Sequence, residues 1–188
     1  MRIKGLNITD QERLLALARQ GIKQQFTGEP FNLADYHTQI SKEKWGCFVT
    51  LQQQGKLRGC IGEFESQIPL SKLVVKMAQQ AAFHDPRFKP LKSAELIGTK
   101  IEISLLTAPK PVPGATMEEK VSKLVPFVDG VILRHDSHKA TFLPQVWGQL
   151  DDKPAFMSAL CRKAGLAADA WQTETLTLFT YRAQHFEE

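Results

Sequence analysis

The chain has 188 residues, of which 43% are hydrophobic and 23% are charged, and its formal net charge is +4. This length fits one domain, or two small subdomains that share a core, in an ordinary globular protein. The basic residues are spread singly along the chain. A nucleic-acid interface requires basic residues clustered on one face, so a nucleic-acid-binding module is the least favoured class of function.

The three cysteines, Cys47, Cys60 and Cys161, are widely spaced and form no CxxC pair. This pattern argues against a disulfide framework or a structural zinc site and favours a reducing compartment. The first twenty residues contain no apolar signal region, and no stretch approaches the roughly 20 apolar residues of a membrane span. We therefore expect a cytoplasmic protein without membrane contact, and we predict no metal site.

Hydrophobic spacing and turn residues predict the secondary structure. The predicted elements are, in chain order, a helix over about residues 10–25, a loop over 27–43, strands over 45–51 and 57–64, a helix over 69–84, a strand over 100–106, a proline-rich linker over 107–117, a hairpin of 131–134 and 139–143, a helix over 154–164 and a strand over 173–182. Thr9 and Glu12 indicate a capping box at the start of the first helix. Helices and strands mixed without a regular βαβ order predict an α+β fold, with a mixed or antiparallel sheet and flanking helices.

The first two strands are expected to form a hairpin through the sequence QQQGK. With Gly55 as the left-handed residue of a three-residue loop, Gln52 faces Lys56 and Val49 faces Gly59. This register places Arg58 and Cys60 on the same side of the sheet, away from the main apolar face.

Cys60 is the strongest candidate for chemistry, because it lies between Gly59 and Gly62 and two residues after Arg58. A nearby cation favours the reactive thiolate, and glycines allow a ligand or a second backbone to approach. Arg58 would then orient an anionic or carbonyl-bearing ligand. The alternative is that Cys60 is a small buried hydrophobic residue and that the glycines mark a bulge or a tight contact.

A nucleophilic cysteine requires a base, and His84 is the preferred candidate over His135. His84 begins the segment HDPRF, where Asp85 precedes a proline and so ends the preceding helix. Asp85 and Arg87 are candidate ligand-binding residues, or they form an ion pair with each other at the helix end.

Two further positions carry polar side chains on the less apolar face of a predicted strand. Glu102 and Ser104 either line a cleft or lie on a solvated face.

His135 and His138 are separated by a turn, which is poor spacing for a metal pair. The commonest nucleotide-binding, hydrolase and metalloprotease motifs are missing from the sequence, so no cofactor is identified.

Several blocks of sequence together resemble the AMMECR domain family. The six-residue block LRGCIG at 57–62 is similar to the family signature, and GCFVTL precedes it. Further matching blocks follow in the family's order: AAFHDPRFKPL at 81–91, IEISLLT at 101–107, DGVIL at 129–133, TFLPQVW at 141–147 and LCRKAGL at 160–166. The last two blocks are most similar to the bacterial branch, called AmmeMemoRadiSam system protein A.

The resemblance implies one AMMECR-type domain over residues 1–188, with a larger and a smaller subdomain that share a cleft. We expect the smaller subdomain at roughly 63–100. The resemblance also implies two partners, a Memo-like protein and a radical-SAM protein, but no particular reaction. The site residues that match family motifs are Arg58, Gly59, Cys60, Gly62, Asp85, Arg87, Glu102, Ser104 and Gln145.

Two hypotheses of different classes follow. In the first, Arg58 orients an anionic or carbonyl group and Cys60 acts as a thiol nucleophile or carrier, with His84 as base. In the second, the chain is a non-enzymatic adaptor whose cleft binds a protein or peptide, and Cys60 is present only for its size. The sequence leaves the choice between enzyme and adaptor open.

Overall fold

A computed structural model describes residues 3, 6–150, 152–173 and 176–188. The described residues contain helices α1 (Ile8–Thr27), α2 (Leu70–Phe83), α3 (Met117–Ser122), α4 (Lys153–Lys163) and α5 (Ala170–Thr173). They also contain strands β1 (Gly46–Gln53), β2 (Lys56–Glu63), β3 (Thr99–Leu106), β4 (Lys110–Pro111), β5 (Gly130–His135), β6 (His138–Phe142), β7 (Thr177–Tyr181) and β8 (Ala183–Glu187). The predicted α+β class with antiparallel sheets and flanking helices is confirmed.

The chain divides into two compact units. Of the described residues, the larger unit comprises those from 3 to 108 together with Gln184–Glu188, and the smaller unit comprises those from 109 to 183. Residues 63–100, where a smaller subdomain was expected, lie within the larger unit. No helix among the described residues has the length and apolar character needed to cross a membrane.

The larger unit is a four-stranded sheet in the order β2-β1-β3-β8, with α1 and α2 packed against it. Alternate residues of β1 and β3 are fully buried, as the sequence predicted for β3. They are Cys47, Val49, Leu51, Ile101, Ile103 and Leu105. Each large aliphatic side chain buried in this way stabilises the fold by roughly 1.5–3 kcal/mol. The opposite face of the sheet is therefore left to the intervening residues, among them the candidate site.

The predicted capping box of α1 is wrong. The N-cap is Asn7, whose side chain accepts a hydrogen bond from the Asp10 backbone N–H at 2.8 Å. Thr9 lies inside the helix. Asparagine is at least as good a capping residue as threonine, and with Asn7 as the cap the helix begins two residues earlier than predicted.

The predicted register of the first hairpin is also wrong. Gln54 and Gly55 both have positive φ, at 50° and 72°, which gives a two-residue turn, so that Gln53 pairs with Lys56. The register then shifts, because Gln52 pairs with Leu57 whereas Leu51 pairs with Gly59. Arg58 is thus the extra residue of a β-bulge.

Two other predictions change in detail. The proline-rich linker over 107–117 contains β4, which pairs with β7. The strand expected over 173–182 begins at Thr177, and residues 174–175 of that prediction lie outside the described part of the chain. The predicted end of α4 is confirmed, since Gly165 follows it with a φ of 78°.

The smaller unit has its own four-stranded sheet, in the order β4-β7-β5-β6, and its own core. Trp147 is fully buried and stacks on Phe156 with 3.6 Å between the ring centroids. The Trp147 indole N–H donates to the backbone oxygen of Asp129 at 2.8 Å, so the polar edge of this buried ring is satisfied.

Gly59 has no room for a side chain. A Cβ there would lie 2.2 Å from the Ala81 carbonyl oxygen of α2, whereas a Cβ at Gly98 would meet nothing within 4 Å. We expect Gly59→Ala to lower the free energy of unfolding by about 1–3 kcal/mol or more, because helix backbone must move. Gly98→Ala is the matched control, and we expect it to be neutral or slightly stabilising. Urea unfolding of both variants tests this, and equal stabilities would contradict it.

Candidate functional site

The backbone of Cys60 is held by side chains of the segment that follows α2. Asp85 Oδ2 accepts the Cys60 N–H at 2.8 Å, and Arg87 Nη2 donates to the Cys60 carbonyl oxygen at 3.1 Å. Strand β2 is at the edge of its sheet, so these backbone groups point away from β1. The Asp85 and Arg87 side chains therefore take the place of a neighbouring strand at this point.

Asp85 and Arg87 also bind each other, as one of the two sequence interpretations proposed. Arg87 Nη2 lies 2.7 Å from Asp85 Oδ2, and Arg87 Nε donates to Oδ1 at 2.9 Å. The Asp85 side chain is 1% exposed and the Arg87 side chain 53% exposed. The Arg87 guanidinium, with help from the backbone N–H groups of Cys60 and Arg87, holds the pKa of the Asp85 carboxyl well below its ordinary value, although burial opposes this.

The two glycines of the signature are explained by close packing. Gly59 admits the backbone of α2, as described above. Gly62 pairs with Phe48, whose ring occupies the space where a Gly62 Cβ would lie, at 2.3 Å. The Phe48 ring, rather than a ligand, therefore occupies the space beside Gly62, and it makes an edge contact with Phe64 at 5.0 Å between ring centroids.

Arg58 is engaged with the segment before β3. Its Nε and Nη2 donate to the two carboxylate oxygens of Glu95 at 3.1 and 3.3 Å. Its remaining bonds go to the backbone oxygens of Lys89 and Pro90, at 2.9 and 3.4 Å. The Arg58 guanidinium lowers the pKa of Glu95 in return. Four of the five Arg58 donors are thus used within the protein.

The Cys60 sulfur has a different neighbour from the Arg58 guanidinium. Thr50 lies directly opposite Cys60 across the hairpin, and its hydroxyl donates to the sulfur at 3.3 Å. A cavity of about 510 Å³ is lined by Arg58 and Glu95, and Cys60 does not belong to its lining. The two side chains therefore have separate surroundings.

A row of polar side chains crosses the sheet on the face opposite the helices. Thr50 pairs with Cys60 on one side and with Glu102 on the other, so a thiol, a hydroxyl and a carboxylate are lateral neighbours on three strands. In the next row, Phe48 lies between Gly62 and Ser104. Directly opposed Cβ atoms in such pairs are about 4.5–5.5 Å apart. All of these residues are half-buried.

Glu102 and Ser104 are thus brought onto the same face as Cys60, as predicted for that strand. Within the described part of the chain, the Glu102 carboxylate has no hydrogen-bond or ion-pair partner. His84 ends α2 with an exposed side chain, and Gln145 is exposed on the 3-10 helix Pro144–Gly148 of the smaller unit. The roles predicted for these residues stay predictions.

Sequence reasoning missed Thr50 and Glu95. Thr50 becomes the partner of Cys60 only in the observed register, which requires both the two-residue Gln54-Gly55 turn and the β-bulge at Arg58. Glu95 is 37 residues from Arg58, and no local pattern links the two.

The other cysteines are closed to chemistry. Cys47 and Cys161 are both fully buried, and burial raises the pKa of the Cys47 thiol far above its ordinary value. Among the residues that the structure describes, no group of three or more histidine, cysteine, aspartate or glutamate side chains is arranged to hold a metal ion.

The depressed pKa of Asp85 predicts how stability depends on pH. A carboxyl whose folded pKa lies below its unfolded value stabilises the fold above the unfolded value, about 3.9, and loses this contribution as pH falls toward the folded value. We expect Asp85→Asn to be less stable than the wild type near pH 7 and the difference to shrink steadily below about pH 4. Unfolding in urea from pH 7 to pH 2 measures the difference, and a gap that is independent of pH would contradict the prediction.

Two archaeal proteins are similar in sequence to this chain over most of its length. A protein of Methanothermobacter thermautotrophicus is 33% identical over 192 residues, which cover 100% of this chain and 99% of the relative. A protein of Pyrococcus furiosus is 37% identical over 186 residues, covering 94% of this chain and 87% of the relative.

The fold is matched as well. The crystal structure of an uncharacterized protein from Pyrococcus horikoshii superimposes with a TM-score of 0.73 at 33% identity, covering 98% of this chain and 94% of that one. The profile of the AMMECR1 family matches residues 15–186. The chain therefore belongs to the AMMECR1 family.

Proposed function

We propose that this chain binds an anionic or carbonyl-bearing ligand near Arg58 and Cys60 and uses the Cys60 thiol as a nucleophile or carrier. The observation that carries the proposal is the setting of Cys60. Its backbone is fixed on both sides by Asp85 and Arg87, and its sulfur accepts a hydrogen bond from Thr50 while the residue stays half-buried. A half-buried cysteine with a fixed backbone and a hydrogen-bonded sulfur is suited to attack, in contrast to the two fully buried cysteines.

Addition of this sulfur to a carbonyl carbon is the simplest reaction of that kind. It forms a carbon–sulfur bond and moves one electron pair of the carbonyl onto oxygen, which takes up the thiol proton. Hydroxyl donation from Thr50 stabilises negative charge on the sulfur before attack. Glu102 adjoins Thr50 in the same row, so the proton would pass to it through the Thr50 hydroxyl, and His84 is the alternative base.

The proposal extends to partners and location. The blocks TFLPQVW at 141–147 and LCRKAGL at 160–166 support membership of the bacterial branch as AmmeMemoRadiSam system protein A. On that basis the chain acts in the cytoplasm with a Memo-like protein and a radical-SAM protein, passing material to or from them. The curated relatives described above are archaeal, so isolation of a complex with both partners is the direct test.

Alkylation of the native protein with iodoacetamide tests the role of the thiol. We expect one modified cysteine, Cys60, because Cys47 and Cys161 are fully buried. We expect Cys60 to react faster at pH 7 than free glutathione and Thr50→Val to slow it, because valine keeps the shape and removes the hydroxyl donor. Peptide mass spectrometry locates the modification and gives the rate.

The controls separate reactivity from simple access. Cys60→Ser should show no labelling of the native protein, and Ser104→Ala, on the next row of the same face, should leave the rate unchanged. A Cys60 rate no greater than that of glutathione, with full retention of ligand and partner binding in Cys60→Ser, would remove the thiol from the function.

A second candidate function, a protein-binding adaptor, is favoured by the loop before β5. Phe127 is 61% exposed and has a φ of 61°, a conformation that costs a non-glycine residue about 1–2 kcal/mol. Asp129 holds the loop from inside, because its carboxylate accepts the Val125 N–H at 2.7 Å and pairs with Arg182 Nε at 3.3 Å. An aromatic ring held outward at a cost in strain is typical of a contact residue.

Binding to the purified Memo-like and radical-SAM proteins distinguishes the two functions. The adaptor function predicts that binding survives Cys60→Ala and weakens at least tenfold in Phe127→Asn. Asparagine adopts the left-handed conformation more readily than phenylalanine, so this variant is expected to fold at least as stably. Unchanged binding in Phe127→Asn would contradict the adaptor role of this loop.

A further inference from the structure

A cavity beside Arg58 is separate from the surroundings of the Cys60 sulfur, because Cys60 does not belong to its lining. It has a volume of about 510 Å³ and lies between the β1–β2 hairpin and the 3-10 helix Ser93–Gly98. Cavities of about 300–1,000 Å³ are typical of small-molecule sites. Its size therefore suits a small organic ligand.

The floor of the cavity is rigid and electrically balanced. The Arg58 guanidinium and the Glu95 carboxylate are joined by two hydrogen bonds. The backbone oxygen of Glu95 accepts from Gln53 Nε2 at 3.3 Å and from the Thr99 hydroxyl at 2.8 Å. This network fixes the helix against the hairpin, so the cavity is preformed.

Lys56 gives the cavity an excess of one positive charge. The charged residues of the lining are Lys56, Arg58 and Glu95, and the last two neutralise each other. Within the described ranges, the Lys56 ammonium has no ion pair or hydrogen bond, and the residue is exposed. Lys56 is therefore available to an anionic group of a ligand.

Apolar side chains stand on both walls. Ile97, from the 3-10 helix, is 95% exposed, and Leu57, from β2, is 45% exposed. Single exposed aliphatic residues are common on protein surfaces, but these two line one cavity together with a free cation. Such an arrangement is complementary to a ligand with a charged end and an apolar body.

We propose that this cavity binds a carboxylate that carries an aliphatic chain, with the carboxylate at Lys56 and the chain between Leu57 and Ile97. One excess positive charge matches a carboxylate, whereas a phosphate dianion would keep an uncompensated charge. The inference rests on the ligand binding proposed near Arg58 and names its ligand class. It does not require the thiol reaction.

Titration with fatty acids tests the proposal. The probes are butanoate, hexanoate and octanoate, kept below the concentration at which they aggregate, and the readout is the methyl NMR spectrum of isoleucine- and leucine-labelled protein. We expect saturable shifts of the Ile97 and Leu57 methyl signals. We expect affinity to rise roughly three- to fourfold for each added methylene, and octylamine to cause no saturable shift at these signals.

Variants of the cavity separate the charge from the apolar contact. Lys56→Gln should weaken octanoate binding about two- to fivefold, the effect of one exposed charge pair, and Lys56→Arg should restore it. Ile97→Ser should flatten the dependence on chain length. Lys44→Gln, which changes an exposed lysine outside the cavity lining, is the matched control and should bind as the wild type does.

The ligand source and the thiol are tested separately. A tetrapeptide ending in leucine and its C-terminal amide distinguish a peptide carboxylate from a free organic acid, and saturable binding of either carboxylate at this cavity supports the proposal. Cys60→Ser should bind octanoate unchanged, so failure of the thiol reaction does not affect this result. The proposal is overturned if octanoate causes no saturable shift at Ile97 and Leu57, or if octylamine binds there as tightly.

Discussion

The hydrogen bond between the Asp85 carboxylate and the Cys60 backbone N–H is the interaction on which the arrangement of the signature depends. It ties the segment after α2 to the middle of β2, while Arg87 binds the carbonyl of the same residue. Helix α2 can follow this path only because Gly59 leaves room for its last turn. One residue of the strand is thus fixed by both of its backbone groups, and its side chain is left for other uses.

Three of the six residues of the LRGCIG signature have clear structural roles. Gly59 and Gly62 make room for α2 and for the Phe48 ring, and Arg58 connects the hairpin to Glu95. Packing does not explain the thiol of Cys60 or the exposed side chain of Leu57. The sequence predicted Arg58 and Cys60 on the same side of the sheet, whereas the structure gives the Arg58 guanidinium and the Cys60 sulfur different neighbours, Glu95 and Thr50.

The sequence was a good guide where the physics is local. Alternation along β3 placed Ile101, Ile103 and Leu105 in the core, and Asp85 before a proline ended α2. The sequence-based prediction failed for the pairing of strands and for contacts between residues that are far apart in the chain. The hairpin turn is one residue shorter than predicted, because Gln54 takes a positive φ, and the bulge at Arg58 adds a second shift of the register. Contacts between distant segments, such as that of Arg58 with Glu95, produce no repeating pattern in the sequence from which they could be predicted.

The position of β2 at the edge of its sheet has a further consequence. Unpaired backbone groups on an edge strand are a template for strands of other molecules and so promote aggregation. At Cys60 both backbone groups already form hydrogen bonds with the side chains of Asp85 and Arg87. They are therefore not available to a strand of another molecule. The same two side chains that fix the signature therefore also cover the edge of the sheet at Cys60, and the low pKa of the Asp85 carboxyl keeps it ionised, and able to accept from this N–H, well into the acid range.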